Sequence, residues 1–147
     1  MLRIALFHGV NLDHLIGRDA ELGPVSSLRE LEDKLMEAGQ ELGVAVVPFR
    51  TNDEPEFIRQ VHATQHTSDG LLINAGAWGH YSWALSDALR AAAIPAVEVH
   101  LSDTSQREEW RRTSVVADEC IATIKGEGPE GYIRALKLLI DHLELRK

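Results

Sequence analysis

The sequence predicts a single α/β domain over residues 1–147, built on a doubly wound, five-stranded parallel sheet with helices on both faces. Short apolar runs alternate with longer amphipathic runs along the whole chain. A length of 147 residues is that of one ordinary domain, and no repeat, low-complexity tract or linker divides it. Strands that alternate with helices of this length are typical of parallel α/β sheets.

Five apolar segments have the length and composition of buried strands. They are rich in Ile, Leu and Val, and turn residues such as Asp69-Gly70 border them. The predicted strands cover residues 2–7, 44–49, 71–73, 96–100 and 121–124.

Four longer segments place apolar residues at helical spacing. Ser26 or Ser27 caps the first, because Glu30 follows Ser27 by three residues as in a capping box, and Gly43 ends it. The other predicted helices open at Asn52 or Asp53, cover about residues 80–93, and follow the glycines of residues 128–131.

The overall charge excludes several classes of partner. The chain has 15 basic and 23 acidic residues, a net charge of −8, so it has no basic surplus for binding nucleic acid. No stretch approaches 18 apolar residues, and the N-terminal residues lack the long apolar core of a signal peptide. A single cysteine, Cys120, excludes a disulfide framework. We therefore expect a cytoplasmic protein with no membrane or nucleic-acid partner.

Polar side chains gather where the predicted strands end. In open parallel sheets, ligands bind beyond the carboxyl ends of the strands. The polar residues that follow the first four strands are His8, Asn11, Arg50, Asn52, Asn74, His80, His100, Ser102, Arg107 and Arg111. This set of amides, imidazoles, hydroxyls and guanidiniums suits a small, anionic, oxygen-rich ligand.

Common cofactor and nucleophile motifs are missing at these positions. There is no GxGxxG after the first strand and no GxxxxGK[ST], GxSxG or HExxH in the chain. The simplest prediction is an enzyme that needs neither a cofactor nor a metal ion.

Four blocks, in order along essentially the whole chain, resemble type II 3-dehydroquinate dehydratases. Residues 74–89 resemble the family block NPGAYTHTSVALRDAL, and residues 98–111 resemble EVHxSN…REEFR. Residues 9–18 resemble the opening GPNLNLLGxR, and residues 126–132 resemble GxGxxGY. The resemblance implies a flavodoxin-like fold, a lid loop at about residues 8–25, and a homo-oligomer, a dodecamer built from trimers. It also implies a cofactor-free lyase that eliminates water from a cyclic polyhydroxy keto acid through an enolate.

The resemblance also implies roles for individual residues. Asn11 would hold a water that stabilises the enolate oxygen, and Arg18 would lie on the lid. His100 would be the general acid, with Glu98 as its electrostatic partner. The residues expected to bind substrate are Asn74, His80, Leu101, Ser102 and Arg111, with Asp87 reaching into a neighbouring subunit's site.

Several of these residues also have a purely structural explanation. Asn11 is a plausible turn residue, His80 a helix cap, Asp87 a solvated helix position and His100 a core histidine. Their joint position at the strand ends favours the functional interpretation. The remaining histidines are expected at the surface or on the lid: His8, His14, His62, His66 and His142.

The lid departs from the family pattern at its catalytic tyrosine. The family lid GxREPxIYG supplies a tyrosine that accepts the proton, whereas residues 17–23 here read GRDAELG and place Leu22 at that position. The chain's two tyrosines, Tyr81 and Tyr132, lie elsewhere. Tyr81 is a candidate substitute base, and Asp19 and Glu21 are others. The alternatives are a lyase or isomerase acting on a related small carboxylate, and a catalytically impaired paralogue that binds one.

Overall fold

The predicted strands form one parallel sheet in the computed structural model, which describes residues 1–19 and 25–146. Across the sheet the order is β2 (Ala45–Arg50), β1 (Arg3–Val10), β3 (Gly70–Gly76), β4 (Ala96–His100) and β5 (Ala122–Lys125). The strand order reverses between β1 and β3, so the switch point lies at their carboxyl ends. The predicted flavodoxin-like α/β class is confirmed.

Helices cover both faces of the sheet. In chain order they are α1 (Leu12–Leu15), α2 (Leu28–Glu41), α3 (Glu54–Thr67), α4 (Trp83–Ala92) and α5 (Gly128–Leu145). Successive strand residues point to opposite faces. In β1, Ile4 and Leu6 therefore pack with α2 and α5, whereas Ala5 and Phe7 pack with α3 and α4.

Side-chain caps fix the start of the long helices. The Ser27 hydroxyl accepts a hydrogen bond from the Glu30 backbone N–H at 3.1 Å, as the sequence predicts. The Glu30 carboxylate accepts from the backbone N–H of Ser26 at 2.7 Å, so the return contact falls one residue before the cap. The Asp53 carboxylate caps α3 by accepting from the Glu56 N–H at 3.0 Å.

Several boundaries differ from the sequence prediction, and the largest differences are at β1, β3 and α4. β3 covers Gly70–Gly76, whereas the predicted strand covers residues 71–73. β1 continues through residues 8–10, because it pairs with a strand on each side, and α1 follows it directly. The predicted lid loop of residues 8–25 therefore begins with regular structure, and residues 20–24 lie outside the described residues. α4 begins at Trp83, after the 3₁₀ turn Ala77–His80, because the Ser82 hydroxyl caps it by accepting from the Leu85 N–H.

His8 is fully buried, which corrects its prediction as a surface or lid residue. It shares the face of Ile4 and Leu6 on β1, and its Nε2 lies 3.1 Å from Oε2 of Glu32 on α2. Glu32 is only 6% exposed. Neither ring nitrogen of His8 makes a hydrogen bond within the described part of the chain. The period of two along β1 is the sequence signal that places His8 inside.

Candidate functional site

A cavity of about 160 Å³ opens at the carboxyl ends of the central strands. Residues following β1, β3 and β4 form its wall, as the switch-point rule predicts. Its polar lining includes Asn11, Asn74, His80, His100, Ser102 and Arg111. A second cavity of about 310 Å³ adjoins it and shares His80, His100 and Arg111. The pair of cavities is concave and rich in hydrogen-bonding groups, as small-molecule sites are.

His100 is paired with a buried carboxylate. Oε2 of Glu98 lies 3.1 Å from Nε2 of His100, and Glu98 is only 1% exposed. The Ser114 hydroxyl donates to Oε2 at 2.7 Å, and the Thr123 hydroxyl donates to Oε1 at 3.0 Å. Burial alone would raise the pKa of Glu98. The hydrogen bond and charge of His100, with the two hydroxyls, outweigh burial, so the pKa lies below its ordinary value. Glu98 is therefore ionised at neutral pH and lies beside the His100 ring as a negatively charged partner.

The lowered pKa of Glu98 predicts a loss of stability in acid. Such a carboxylate stabilises the folded chain fully above its unfolded pKa, about 4.3, and loses this effect as the pH falls through the folded value. We expect the free energy of unfolding to fall more steeply below about pH 4.3 in the wild type than in a Glu98→Gln variant. Urea unfolding at a series of pH values measures both slopes. Equal slopes would contradict the ionised state of Glu98.

Asn74 and Asn11 form the polar floor at the switch point. Oδ1 of Asn74 accepts from the Gly76 backbone N–H at 3.1 Å, and Nδ2 donates to the Tyr132 hydroxyl at 3.2 Å. Asn11 has a left-handed backbone, with φ of 67°, a conformation that asparagine tolerates better than most residues. Its N–H donates to Oδ1 of Asn52 at 2.7 Å, which joins the ends of β1 and β2.

His80 and Arg111 form a polar wall around Trp110. Nδ1 of His80 lies 2.7 Å from the Thr113 carbonyl oxygen and therefore donates to it. The Arg111 guanidinium lies 4.1 Å from the centroid of the Trp110 ring, and its Nε donates to Glu108 at 2.6 Å. His80 also contacts Trp110 edge to face, so one indole ring touches both the imidazole and the guanidinium. This wall suits a ligand that carries negative charge.

Comparison with known proteins shows which family the chain belongs to. A family model described as Dehydroquinase class II matches residues 2–140. The chain belongs to this family. A 3-dehydroquinate dehydratase of Clostridium perfringens (strain 13 / Type A) is 42% identical over 144 residues, covering 97% of this chain and 99% of that protein. A 3-dehydroquinate dehydratase of Carboxydothermus hydrogenoformans is 43% identical over 145 residues, covering 99% and 94%.

A solved class II dehydroquinase shares the fold as well as the sequence. The crystal structure of the type II dehydroquinase from Propionibacterium acnes superposes with a TM-score of 0.88 at 35% identity. The match covers 95% of this chain and 96% of that one. The similarity therefore extends over the whole sheet and its helices.

The predicted site residues of this chain fall into two groups. Those that line the cavity are Asn11, Asp19, Asn74, His80, His100, Leu101, Ser102 and Arg111, with Glu98 directly behind His100. Arg18, Asp87 and Tyr81 do not belong to the cavity wall as far as the described residues define it. All three are exposed, Tyr81 by 60%. Leu22 and Glu21 lie outside the described residues.

Other side chains that contact the site residues were given no individual role from the sequence. Ser114 and Thr123 hold Glu98, Tyr132 holds Asn74, and Asn52 holds the backbone of Asn11. Asn52 follows a strand end and belongs to the predicted polar set, whereas Ser114, Thr123 and Tyr132 do not directly follow any of the first four strands. Within residues 1–19 and 25–146, no group of three or more His, Cys, Asp or Glu side chains could hold a metal ion. No helix in those ranges is long and apolar enough to cross a membrane.

Proposed function

We propose that this chain is a cytoplasmic lyase that removes water from 3-dehydroquinate through an enolate. Family membership supports the reaction class, and relatives more than 40% identical carry the name of this activity. The structural observation that most directly supports the proposal is the Glu98–His100 pair. It presents a proton donor to a cavity lined by amide and cationic side chains. A cyclic acid with several hydroxyls matches that wall in charge and in hydrogen-bonding groups.

The reaction needs two proton transfers, at neighbouring carbons of the substrate ring. A base takes a proton from the carbon beside the ketone, and the electron pair moves onto the ketone oxygen as an enolate. A water held by Asn11 stabilises this charge, as the family resemblance implies. The enolate then collapses, the carbon–oxygen bond breaks, and His100 donates its proton so that the hydroxyl leaves as water. The ionised Glu98 carboxylate lies 3.1 Å from Nε2 of His100 and orients the ring for this step.

Among the candidate bases that the structure describes, Asp19 is the one that lines the cavity. Leu22, which replaces the family tyrosine, has no atom that accepts a proton, and the exposed Tyr81 stands outside the cavity wall. The Asp19 side chain lines the cavity, and its backbone N–H donates to the Leu15 carbonyl at 2.9 Å at the end of α1. We therefore assign the general base to Asp19.

Turnover of 3-dehydroquinate tests the proposed function directly. Elimination of water creates a double bond conjugated with the ketone, so the ultraviolet absorbance rises as product forms. We expect saturable turnover by the purified wild-type protein, with no added cofactor. Saturable binding of 3-dehydroquinate without turnover would instead identify an impaired paralogue. Absence of both would direct the search to a related small carboxylate.

We further propose that the chain assembles with copies of itself, as the family resemblance implies. The start of α4 presents the exposed aromatic Trp83, 69% exposed, beside Tyr81. Aromatic side chains are enriched at protein interfaces. Asp87, exposed on the same helix, is the residue predicted to reach a neighbouring subunit's site.

A charge at the start of α4 is expected to break this assembly. Light scattering should give the wild type a mass near twelve 16.3-kDa chains, and Trp83→Glu a smaller mass, because an ionised carboxylate resists burial at an interface. Leu145→Glu, at an exposed position near the end of α5, is the matched control and should keep the wild-type mass. A monomeric wild type, or an unchanged Trp83→Glu mass, would refute the proposal.

A further inference from the structure

A buried phenol lies directly behind the cavity floor. Tyr132, on α5, is 0% exposed, and its hydroxyl accepts a hydrogen bond from Nδ2 of Asn74 at 3.2 Å. Asn74 is 5% exposed and lines the cavity, whereas Tyr132 does not. The contact joins α5 to the carboxyl end of β3, across 58 residues of sequence. Tyr132 therefore touches a cavity residue without reaching the cavity itself.

Two hydrogen bonds fix which way the Asn74 amide points. Oδ1 accepts from the Gly76 N–H, and Nδ2 donates to Tyr132. A half-turn of the amide would set two donors, Nδ2 and the Gly76 N–H, against each other. With Oδ1 held by the backbone and one Nδ2 hydrogen held by Tyr132, the second Nδ2 hydrogen remains for a ligand. The floor thus offers a donor in a fixed direction to an oxygen of the substrate.

The Tyr132 hydroxyl stays neutral under physiological conditions. Burial raises the pKa of Tyr132 to about 12, although the hydrogen bond from Asn74 lowers it in part. A neutral, fully buried phenol away from the cavity is not a replacement for the proton-accepting lid tyrosine. Its contact with Asn74 is what it contributes to the site.

We propose that Tyr132 is a positioning residue, whose hydroxyl orients the Asn74 amide for substrate binding. The inference rests on the proposed function in one respect, since Asn74 is taken as a substrate-binding residue. Phenylalanine at position 132 would keep the ring that packs in the core and remove only the oxygen. The Asn74 amide would then lose one of its two fixed partners and rotate more freely.

A double-mutant cycle with 3-dehydroquinate separates positioning from general stability. In the wild-type background, Tyr132→Phe should lower kcat/KM by about 3- to 10-fold, mainly through KM, as expected for one lost hydrogen bond. In an Asn74→Ala background the same change should alter kcat/KM by less than about twofold, because the group it acts on is absent. Ile124→Val, a change in the same apolar cluster, is the matched control and should leave kcat/KM unchanged in both backgrounds.

A crystal structure of Tyr132→Phe tests the inference without relying on turnover. We expect the Asn74 amide to be rotated or to occupy more than one orientation, while the α5 backbone stays in place. An unmoved Asn74 amide, or an equal loss of kcat/KM in both backgrounds, would overturn the proposal. A wild type that does not turn over 3-dehydroquinate would refute the proposed function alone, and the Asn74 orientation would still decide this inference.

Discussion

His100→Ala is expected to lower kcat on 3-dehydroquinate by about 10²–10⁴-fold, the usual contribution of a positioned general acid. Methyl replaces the imidazole, so the departing hydroxyl has no donor and Glu98 faces an empty space. The amides and cations of the cavity wall are untouched, and KM should change far less than kcat. Steady-state kinetics followed by ultraviolet absorbance measure both constants.

A second histidine provides the control for this result. His66 is exposed in the last turn of α3, and His66→Ala should leave kcat within about twofold, as expected for a surface substitution. A His100→Ala variant that folds normally and keeps kcat near the wild-type value would refute the assigned acid. A large rise in KM at constant kcat would instead make His100 a binding residue.

Asp19→Asn is expected to reduce kcat by a similar factor of about 10²–10⁴, because an amide cannot accept the proton that forms the enolate. The change keeps the size and hydrogen-bonding oxygen of the side chain. Proton removal should become the slow step, so a substrate deuterated at the carbon that loses the proton should react with a larger isotope effect than in the wild type. Rates with the two isotopic substrates give this ratio.

Asp13 offers a matched carboxylate outside the cavity wall. It lies on α1, 3.9 Å from His14, and Asp13→Asn should leave the rate unchanged. Asp19→Asn could keep the wild-type activity while Tyr81→Phe loses it. That result would assign the general base to Tyr81, another candidate named from the sequence. If neither variant loses activity, neither Asp19 nor Tyr81 is the base.

Local sequence signals predict most of the fold. β4 has the bounds expected from its apolar run, and Ser27 and Asp53 cap their helices, because each signal depends on residues close in the chain. The start of α4 is less predictable, since residues 77–80 form a 3₁₀ turn and the cap moves to Ser82. β1 extends beyond the apolar run that predicts it, because it pairs with a neighbouring strand on each side.

In the site, too, features that depend on local sequence were predicted, and contacts between distant parts of the chain were not. Strand-end position and family motifs place Asn74 and His100, since both depend on order along the chain. The groups that orient them are separated by 58 residues for Tyr132, and Glu98 receives Ser114 and Thr123 from 16 and 25 residues away. Such contacts arise from packing between elements, so the spacing of residues in the sequence does not predict them.

The buried polar residues near the carboxyl edge also help to fix the register of the strands in the sheet. His8 pairs with Asn74 across β1 and β3, and Ile73 with Glu98 across β3 and β4. A slip of one residue in any of these strands would turn its polar side chain to the opposite face, away from Glu32, Tyr132 or Ser114. Apolar neighbours alone would tolerate several alignments, since leucine, isoleucine and valine are nearly interchangeable in such runs. The polar groups that build the site therefore also help the chain to distinguish its correct strand alignment from near neighbours during folding.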